Sequence, residues 1–323
     1  MSWVPLFSGY RSNERVQMNV PLMGFFKQKM HWGKYNRELA NRGSLTVYLG
    51  DDLASKWTPN EAAAVDRGRP VVFPDQVIQL GLVLQQVYRQ PLRQTIGLMR
   101  SVLLLAGVAM PVPDPSTLCR RRTCLTLPRW PKSGSCIVID STGLQIRGPN
   151  TWLTTVHGQR RRSYRKIHLG VDPTSSLIVA GLVTPCQTHD SEAFDPLLAT
   201  ADLSGAREII GDGAYDRRFC YAAARKRQLR LITPPRIGAV LHHEPGSLGR
   251  NRAIKRVRLL GRADWKRFHH YGRRSLAESA MHRLKAAFGP SLRSRLWLNE
   301  RKEALLRAHV LNSWRTPKRM LGD

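Results

Sequence analysis

Acidic residues are scarce in this chain, with 23 Asp and Glu against 52 Lys and Arg in 323 residues, a formal net charge of 52 − 23 = +29. Such an excess attracts polyanions through its summed field, and nucleic acid is the usual partner. Long apolar runs are missing too. Val77–Leu84 and Leu98–Val108 come nearest, interrupted by Gln85, Gln86, Arg89, Gln90 and Arg100, and neither approaches the ~18 residues a spanning helix requires. The N-terminus has no apolar stretch followed by a small-residue cleavage site, so no signal peptide is expected. The 5 cysteines leave one unpaired and form no Cys-x-x-Cys, which argues for a reducing, cytoplasmic compartment and against a disulfide framework. His242-His243 and His269-His270 lack the Cys-x2–4-Cys or His-x3–5-His spacing of structural zinc. There is no Gly-x-Ser-x-Gly elbow for a serine hydrolase and no Gly-x4-Gly-Lys-Ser/Thr loop for ATP.

What is present is enough apolar residue, 42%, to build a sizeable core. Residues 1–60 are basic, turn-rich and of unassigned fold. Residues 61–130 read as a mainly helical region. Val77, Leu80, Leu84 and Val87 recur at helical spacing behind a candidate cap at Asp75, and Leu92, Ile96, Met99 and Leu103 follow Pro91. Ser116 then opens a short basic helix through Arg122. Residues 131–300 change period. Strands are expected at Cys136–Asp140, Tyr164–Val171, Leu177–Val183, Glu208–Asp212 and Leu229–Thr233. Helices are expected at Asp190–Leu198, Arg217–Gln228 and Arg274–Phe288. That order is α/β with a mixed sheet. Residues 301–323 form a basic helix or tail.

In a chain so short of acids, an Asp at the end of an apolar strand is informative, because burying a carboxylate is costly and α/β folds present reactive groups at strand ends. Asp140 and Asp212 both hold that position, 212 − 140 = 72 residues apart. If their strands are neighbours the pair makes a magnesium or manganese site; otherwise each simply closes a turn. Glu278 lies on the last strong helix. On a wheel with Leu276 at zero, Ala287, Ala280 and Leu284 fall at roughly 20°, 40° and 80°, while Arg274, Lys285 and Glu278 fall at roughly 160°, 180° and 200°. Either that polar face is solvated, with an Arg274–Glu278 pair, or Glu278 reaches the metal site beside two phosphate-holding cations.

Three stretches, Asp140-Ser141-Thr142-Gly143-Leu144, Gly211-Asp212-Gly213-Ala214-Tyr215-Asp216 and Tyr271-x2-Arg274-x3-Glu278-x6-Lys285, together resemble the DDE transposases of bacterial insertion sequences, the insertion-sequence-five family in particular. Tyr35-Asn36, Arg67-Gly68-Arg69-Pro70, Trp152, His157-Gly158, Arg165-Lys166-x-His168, Thr188-x-Asp190-Ser191-Glu192-Ala193-Phe194 and Pro234-Pro235-Arg236 extend the likeness in order over roughly residues 31–315. Gly211 and His282 depart from it, where Ala and Tyr are expected.

The resemblance implies an RNase H-like catalytic domain with Asp140, Asp212 and Glu278 as a triad for two divalent ions, Mg2+ or Mn2+. Tyr271, Arg274 and Lys285 would support it. It further implies double-stranded DNA as partner, both the element's terminal inverted repeats and the target, and a homo-oligomer assembled on DNA. Hydrolysis by water would free a 3′-hydroxyl, which then joins target DNA. An RNase H-like nuclease that cuts without joining, and an inactive DNA-binding derivative, are the competing functions.

Further DNA contacts are expected from the cations. Arg67 and Arg69 suit either a minor-groove hook or a basic linker. The helices over 75–122 suit either a helix-turn-helix presenting Arg120, Arg121 and Arg122 or a layer packed on the catalytic domain. Arg160, Arg161, Arg162, Arg165 and Lys166, beside the Asp140 strand, suit phosphate contact. Trp152 either stacks on a base or covers the sheet. Asp190 is expected to cap a helix, and Asp172 to close a strand end before a turn.

Overall fold

The computed structural model describes residues 32–41, 57, 72–146, 164–244 and 246–315. Arg67, Arg69, Trp152, Arg160, Arg161 and Arg162 lie outside the described residues.

The sheet grows from β1 (Cys136–Ile146), whose first four residues are at most 2% exposed. That continuous apolar run is what burial on both faces demands. β2 (Tyr164–Val171) and β3 (Ile178–Pro185) add antiparallel on one side; β4 (Glu208–Ile210) and β5 (Arg230–Ile232) add parallel on the other. The order is β3-β2-β1-β4-β5, and β6 (Ser291–Leu292) pairs with the far end of β1. Three antiparallel strands followed by two parallel ones form a mixed α/β sheet, the class expected from the sequence. Alternate residues serve the two faces: Ile137 and Ile139 pack in one cluster with Phe194, Tyr215 and Ala224, whereas Val138 packs in the other with Leu284 and Leu306.

The helices, numbered along the chain, are α1 (Trp32–Asn41), α2 (Asp75–Val87), α3 (Leu92–Leu105), α4 (Pro115–Cys124), α5 (Phe194–Leu198), α6 (Arg218–Lys226), α7 (Leu248–Phe268), α8 (Ser275–Phe288) and α9 (Trp297–Ser313). Among the described residues none is long and apolar enough to cross a membrane. Pro74, not Asp75, is the cap of α2, and Pro115 opens α4 behind Asp114. α7 falls in a stretch whose Gly and Arg content gives no helical expectation. Only Ile254 and Trp265 of α7 are buried, and Gly261 (φ 75°) divides it at a kink. α9 starts before residue 301 and runs inside the fold, where Asn312 bonds both the N–H and the carbonyl of Ile178 on β3, at 2.8 and 2.7 Å.

A buried polar joint welds α2 and α4 to α9. Arg307 donates to Glu303 (2.6 Å), to Gln86 (2.8 Å) and to the Ser291 carbonyl (3.0 Å), with both members of the ion pair 1% exposed. Arg122 donates to Gln85 (2.5 Å) and to Ser294 Oγ (2.9 Å). Glu303 in turn accepts from the Arg293 and Ser294 amides. The helical region is thus a layer on the catalytic domain.

Removing one partner of a buried pair strands the other's charge. Arg307→Met is expected to cost about 3–5 kcal/mol in urea unfolding, and adding Glu303→Leu to recover much of that loss. A loss below about 1 kcal/mol would show the pair to be idle. Burial also holds His168, His269 and His309 neutral, each with its pKa lowered to about 4 from an ordinary 6.5. A folded-state pKa below the unfolded value means stability is full above pH 6.5 and falls as pH drops toward 4. His309, stacked on Trp130 at 3.8 Å, is one source of that slope. In His309→Phe the unfolding free energy should depend less on pH over that window, with about one proton fewer taken up on unfolding.

Candidate active site

The parallel register of β1 and β4 ends at Val138–Ile210, two residues before Asp140, which lies within β1 and not at its end as the sequence suggests, and two before Asp212, which lies just past β4. Both then project from the sheet face on which α8 packs, because Val138, Ile210, Ala280 and Leu284 share one cluster. Asp140 is oriented by the Ser141 amide (2.8 Å to Oδ1). Asp212 caps the 3-10 turn Gly213–Tyr215, accepting from the Ala214 amide at 2.9 Å.

Gly211, one of the departures from the family pattern, has a steric cause. A Cβ there would stand 2.7 Å from the Tyr215 ring and 3.2 Å from Ile139. The tyrosine ring occupies the room that Ala needs.

Glu278 comes from α8. The residues of α8 that are buried, Ala277, Ala280, Met281, Leu284 and Phe288, centre the apolar stripe at roughly 95° on the same wheel. Glu278 therefore lies about 105° from the middle of the stripe, on its flank and not opposite it. From that flank it meets the strand ends through Arg274, whose guanidinium donates to Asp140 Oδ2 (3.3 Å) with one nitrogen and to Glu278 with the other. Tyr271 donates to the carbonyl of Gly211 (3.2 Å), tying the 3-10 turn Tyr271–Arg274 to the residue before Asp212.

The electrostatics show the three acids acting on one another. Burial raises the Asp140 pKa; the Ser141 amide and Arg274 oppose this, and the negative charges of Asp212 and Glu278 add to it. Burial pushes the Tyr271 phenol up to about 12, Arg274 opposing and all three carboxylates reinforcing.

The donor set is three hard oxygens, suited to a divalent cation of the magnesium type, and such a cation relieves the repulsion at Asp140. Among the described residues no three His, Cys, Asp or Glu side chains are gathered tightly enough to hold a metal as they stand. Arg274 fills the space between Asp140 and Glu278, so gathering the triad requires that guanidinium to leave. Beside Glu278 opens a recess of about 680 Å³, with Lys266, Arg267, Arg273 and Arg274 on its wall.

The expected DNA-contacting cations are not equally free. Arg122 is buried in the joint with Gln85, and Arg121 bonds the Phe73 carbonyl and Asp75. Arg165 pairs with the buried Glu300 (2.6 Å) and stacks over Trp297 (4.9 Å). Lys166 donates to Asp190 and to the Thr188 carbonyl, both at 2.9 Å. These four are bound within the protein by acids and carbonyls remote in sequence; Arg120 is exposed. Lys285, partly exposed, follows Glu278 two turns along α8.

Asp190 is not a helix cap, since α5 starts at Phe194 with Ala193 before it. It lies across the sheet from the triad, hydrogen-bonded to Lys166 and to the side chain of Ser141, the neighbour of Asp140; burial opposes its ionisation, but these partners lower its pKa. Nothing in its local sequence marks this role except the recurrence of Lys166 and Asp190 in the family pattern. Asp172 does close its turn, accepting from the Thr174 amide (2.9 Å) and Ser175 Oγ (2.7 Å).

Two family models, both described as a transposase DDE domain, match this chain, one over residues 40–149 and one over 131–313. Among solved structures, a piggyBac transposase synaptic complex with hairpin DNA aligns with 10% identity and a TM-score of 0.35, covering 86% of this chain and 75% of that one. A simian T-cell lymphotropic virus intasome with the PP2A regulatory subunit B56 gamma aligns with 14% identity and a TM-score of 0.23, covering 67% and 74%.

Asp190→Asn is expected to cost about 1–3 kcal/mol by weakening two hydrogen bonds to a partly buried charge. Thermal or urea unfolding measures it against Asp264→Asn, whose carboxylate is 57% exposed. Equal losses in the two variants would remove Asp190 from the support of the catalytic strand.

Proposed function

The chain belongs to the transposase DDE-domain family, and we propose that it is a DNA transposase of the insertion-sequence type whose triad is Asp140, Asp212 and Glu278. One observation carries this reading: the neighbouring strands β1 and β4 carry Asp140 and, two residues past the end of β4, Asp212, and a glutamate from the facing helix is joined to Asp140 through Arg274.

The substrate is the double-stranded end of the element, and then target DNA, on a homo-oligomer assembled at those ends. Two divalent cations, Mg2+ or Mn2+, held by the three carboxylates would activate the attacking oxygen and stabilise the leaving one. The rest falls to the chain's own side chains. The Ser141 and Ala214 amides fix the directions of Asp140 and Asp212. Tyr271 anchors the end of β4 through Gly211. Arg274, released from the two carboxylates, turns to a phosphate in the recess already lined by Lys266, Arg267 and Arg273, with Lys285 further along the helix. Water attacks the phosphodiester at the element's end, its oxygen bonding to phosphorus as the 3′-oxygen leaves; that 3′-hydroxyl then attacks a target phosphodiester in the same way. No side chain is a nucleophile.

Asp140→Asn, Asp212→Asn and Glu278→Gln each keep the side chain's shape and remove a charge needed to hold a divalent cation. Each is expected to abolish cleavage and joining of end-sequence DNA with Mg2+ while leaving DNA affinity nearly intact. Wild-type cleavage by Glu278→Gln would displace Glu278 from the triad. Cleavage by the wild-type protein without strand joining would make it a nuclease.

A further inference from the structure

A second groove lies beside the candidate active site and shares none of the triad residues. It runs between the sheet-edge strand β5, α6 and α7 and encloses about 810 Å³. Arg207, Arg225, Arg230, Arg252, Lys255 and Arg256 line it, and no Asp or Glu does. Arg230 is paired with Glu208, and Arg256 stacks over Phe268 at 5.0 Å. The other four are exposed, and none forms an ion pair among the described residues. Unlike Arg121, Arg165 and Lys166, these four have no carboxylate partner among the described residues.

The floor is apolar. Leu229 and Leu231 are nearly covered, while Leu248 and Leu259 on the α7 wall are 59% and 83% exposed. Exposed leucines among unpaired cations suit a ligand with anionic groups on one side and flat apolar faces on the other. The groove also adjoins the candidate active site. Trp265, in its wall, packs against Tyr271 with ring centroids 5.8 Å apart, and Tyr271 anchors the residue before Asp212.

We propose that this groove holds a single strand of DNA, its phosphates on Arg252, Lys255 and Arg256 and its bases against Leu248 and Leu259. The exposed leucines favour one strand over two, because an unpaired strand can lay its base faces on them whereas a duplex keeps those faces stacked inside. Phosphate charge supplies affinity and base contact a sequence-tolerant apolar term. The inference rests on the reading of the protein as one that acts on DNA. It adds a path for an unpaired strand beyond the triad.

Binding of a single-stranded oligonucleotide and of a blunt duplex of equal length, measured without metal over a range of salt, tests it on the intact protein. For Arg252→Gln/Lys255→Gln/Arg256→Gln, affinity for the single strand should fall and the slope of log affinity against log salt should flatten by about 2, from three contacts at roughly 0.7 each. Affinity and slope for the duplex should stay at wild-type values. Leu259→Glu, which keeps every cation, should also weaken the single strand selectively. Equal losses on both probes, or no loss on the single strand, overturn the groove. Because the assay needs no catalysis, a protein that cleaves duplex ends but shows no groove-dependent single-strand binding overturns this inference alone. One that binds neither probe overturns the reading beneath it.

Discussion

Like charges brought together beside a buried strand repel, and the arrangement around Asp140 depends on how that repulsion is answered. Asp212 and Glu278 both push the Asp140 pKa upward, in the direction burial has already moved it. Arg274 answers by bonding Asp140 and Glu278 at once. The rigid elements around it follow from the same need: Tyr271 fixes where Arg274 sits relative to β4, and the parallel pairing of β1 with β4 fixes where Asp212 sits relative to Asp140.

The large positive charge has two uses within the fold. Some of it is internal: Arg122 and Arg307 bind glutamines, a serine and Glu303 between α2, α4 and α9, Arg165 binds the buried Glu300, and Arg250 grips the buried Asp216 at 3.1 Å. The 23 acids in the chain are too few to neutralise the 52 Lys and Arg. Part of the surplus lines concave surfaces, Lys266 in the recess beside Glu278 and Arg207, Arg225, Arg252 and Lys255 in the groove along α7. A basic residue in this chain is therefore better sorted by its partner than by its neighbours in sequence.

That sorting is what the sequence hid. The strands were legible because β1 begins with an unbroken apolar run buried on both faces, and Asp140 and Asp212 were legible because each ends such a run, although β1 itself continues past Asp140 to Ile146. The helical phase of Glu278 was read with an offset. The sequence places Leu276 in the stripe and leaves Ala277 out, but Leu276 is partly exposed while Ala277 is fully buried, and small residues give a weak signal of burial. α7 was invisible because only Ile254 and Trp265 of it are buried, and arginine bonds to loop carbonyls, such as Arg258 to Ala239 and Arg262 to Pro235, leave no apolar period. Arg122 looked like its exposed neighbour Arg120, since Gln85 and Ser294 are 37 and 172 residues away.

The joint around Arg307 bears on the order in which the chain becomes stable. Helix α9, from which Glu303 and Arg307 project, leaves the ribosome after every other described element. Until it docks, Gln86 lacks its arginine, the Arg293 and Ser294 amides lack their carboxylate, and the first residue of β3 lacks both bonds to Asn312. A nascent chain that already contains Asp140, Asp212 and Glu278 is in this sense unfinished. Its polar groups at the joint stay hydrated and its helical layer stays loose, so a stable sheet with its acids in register awaits the last helix.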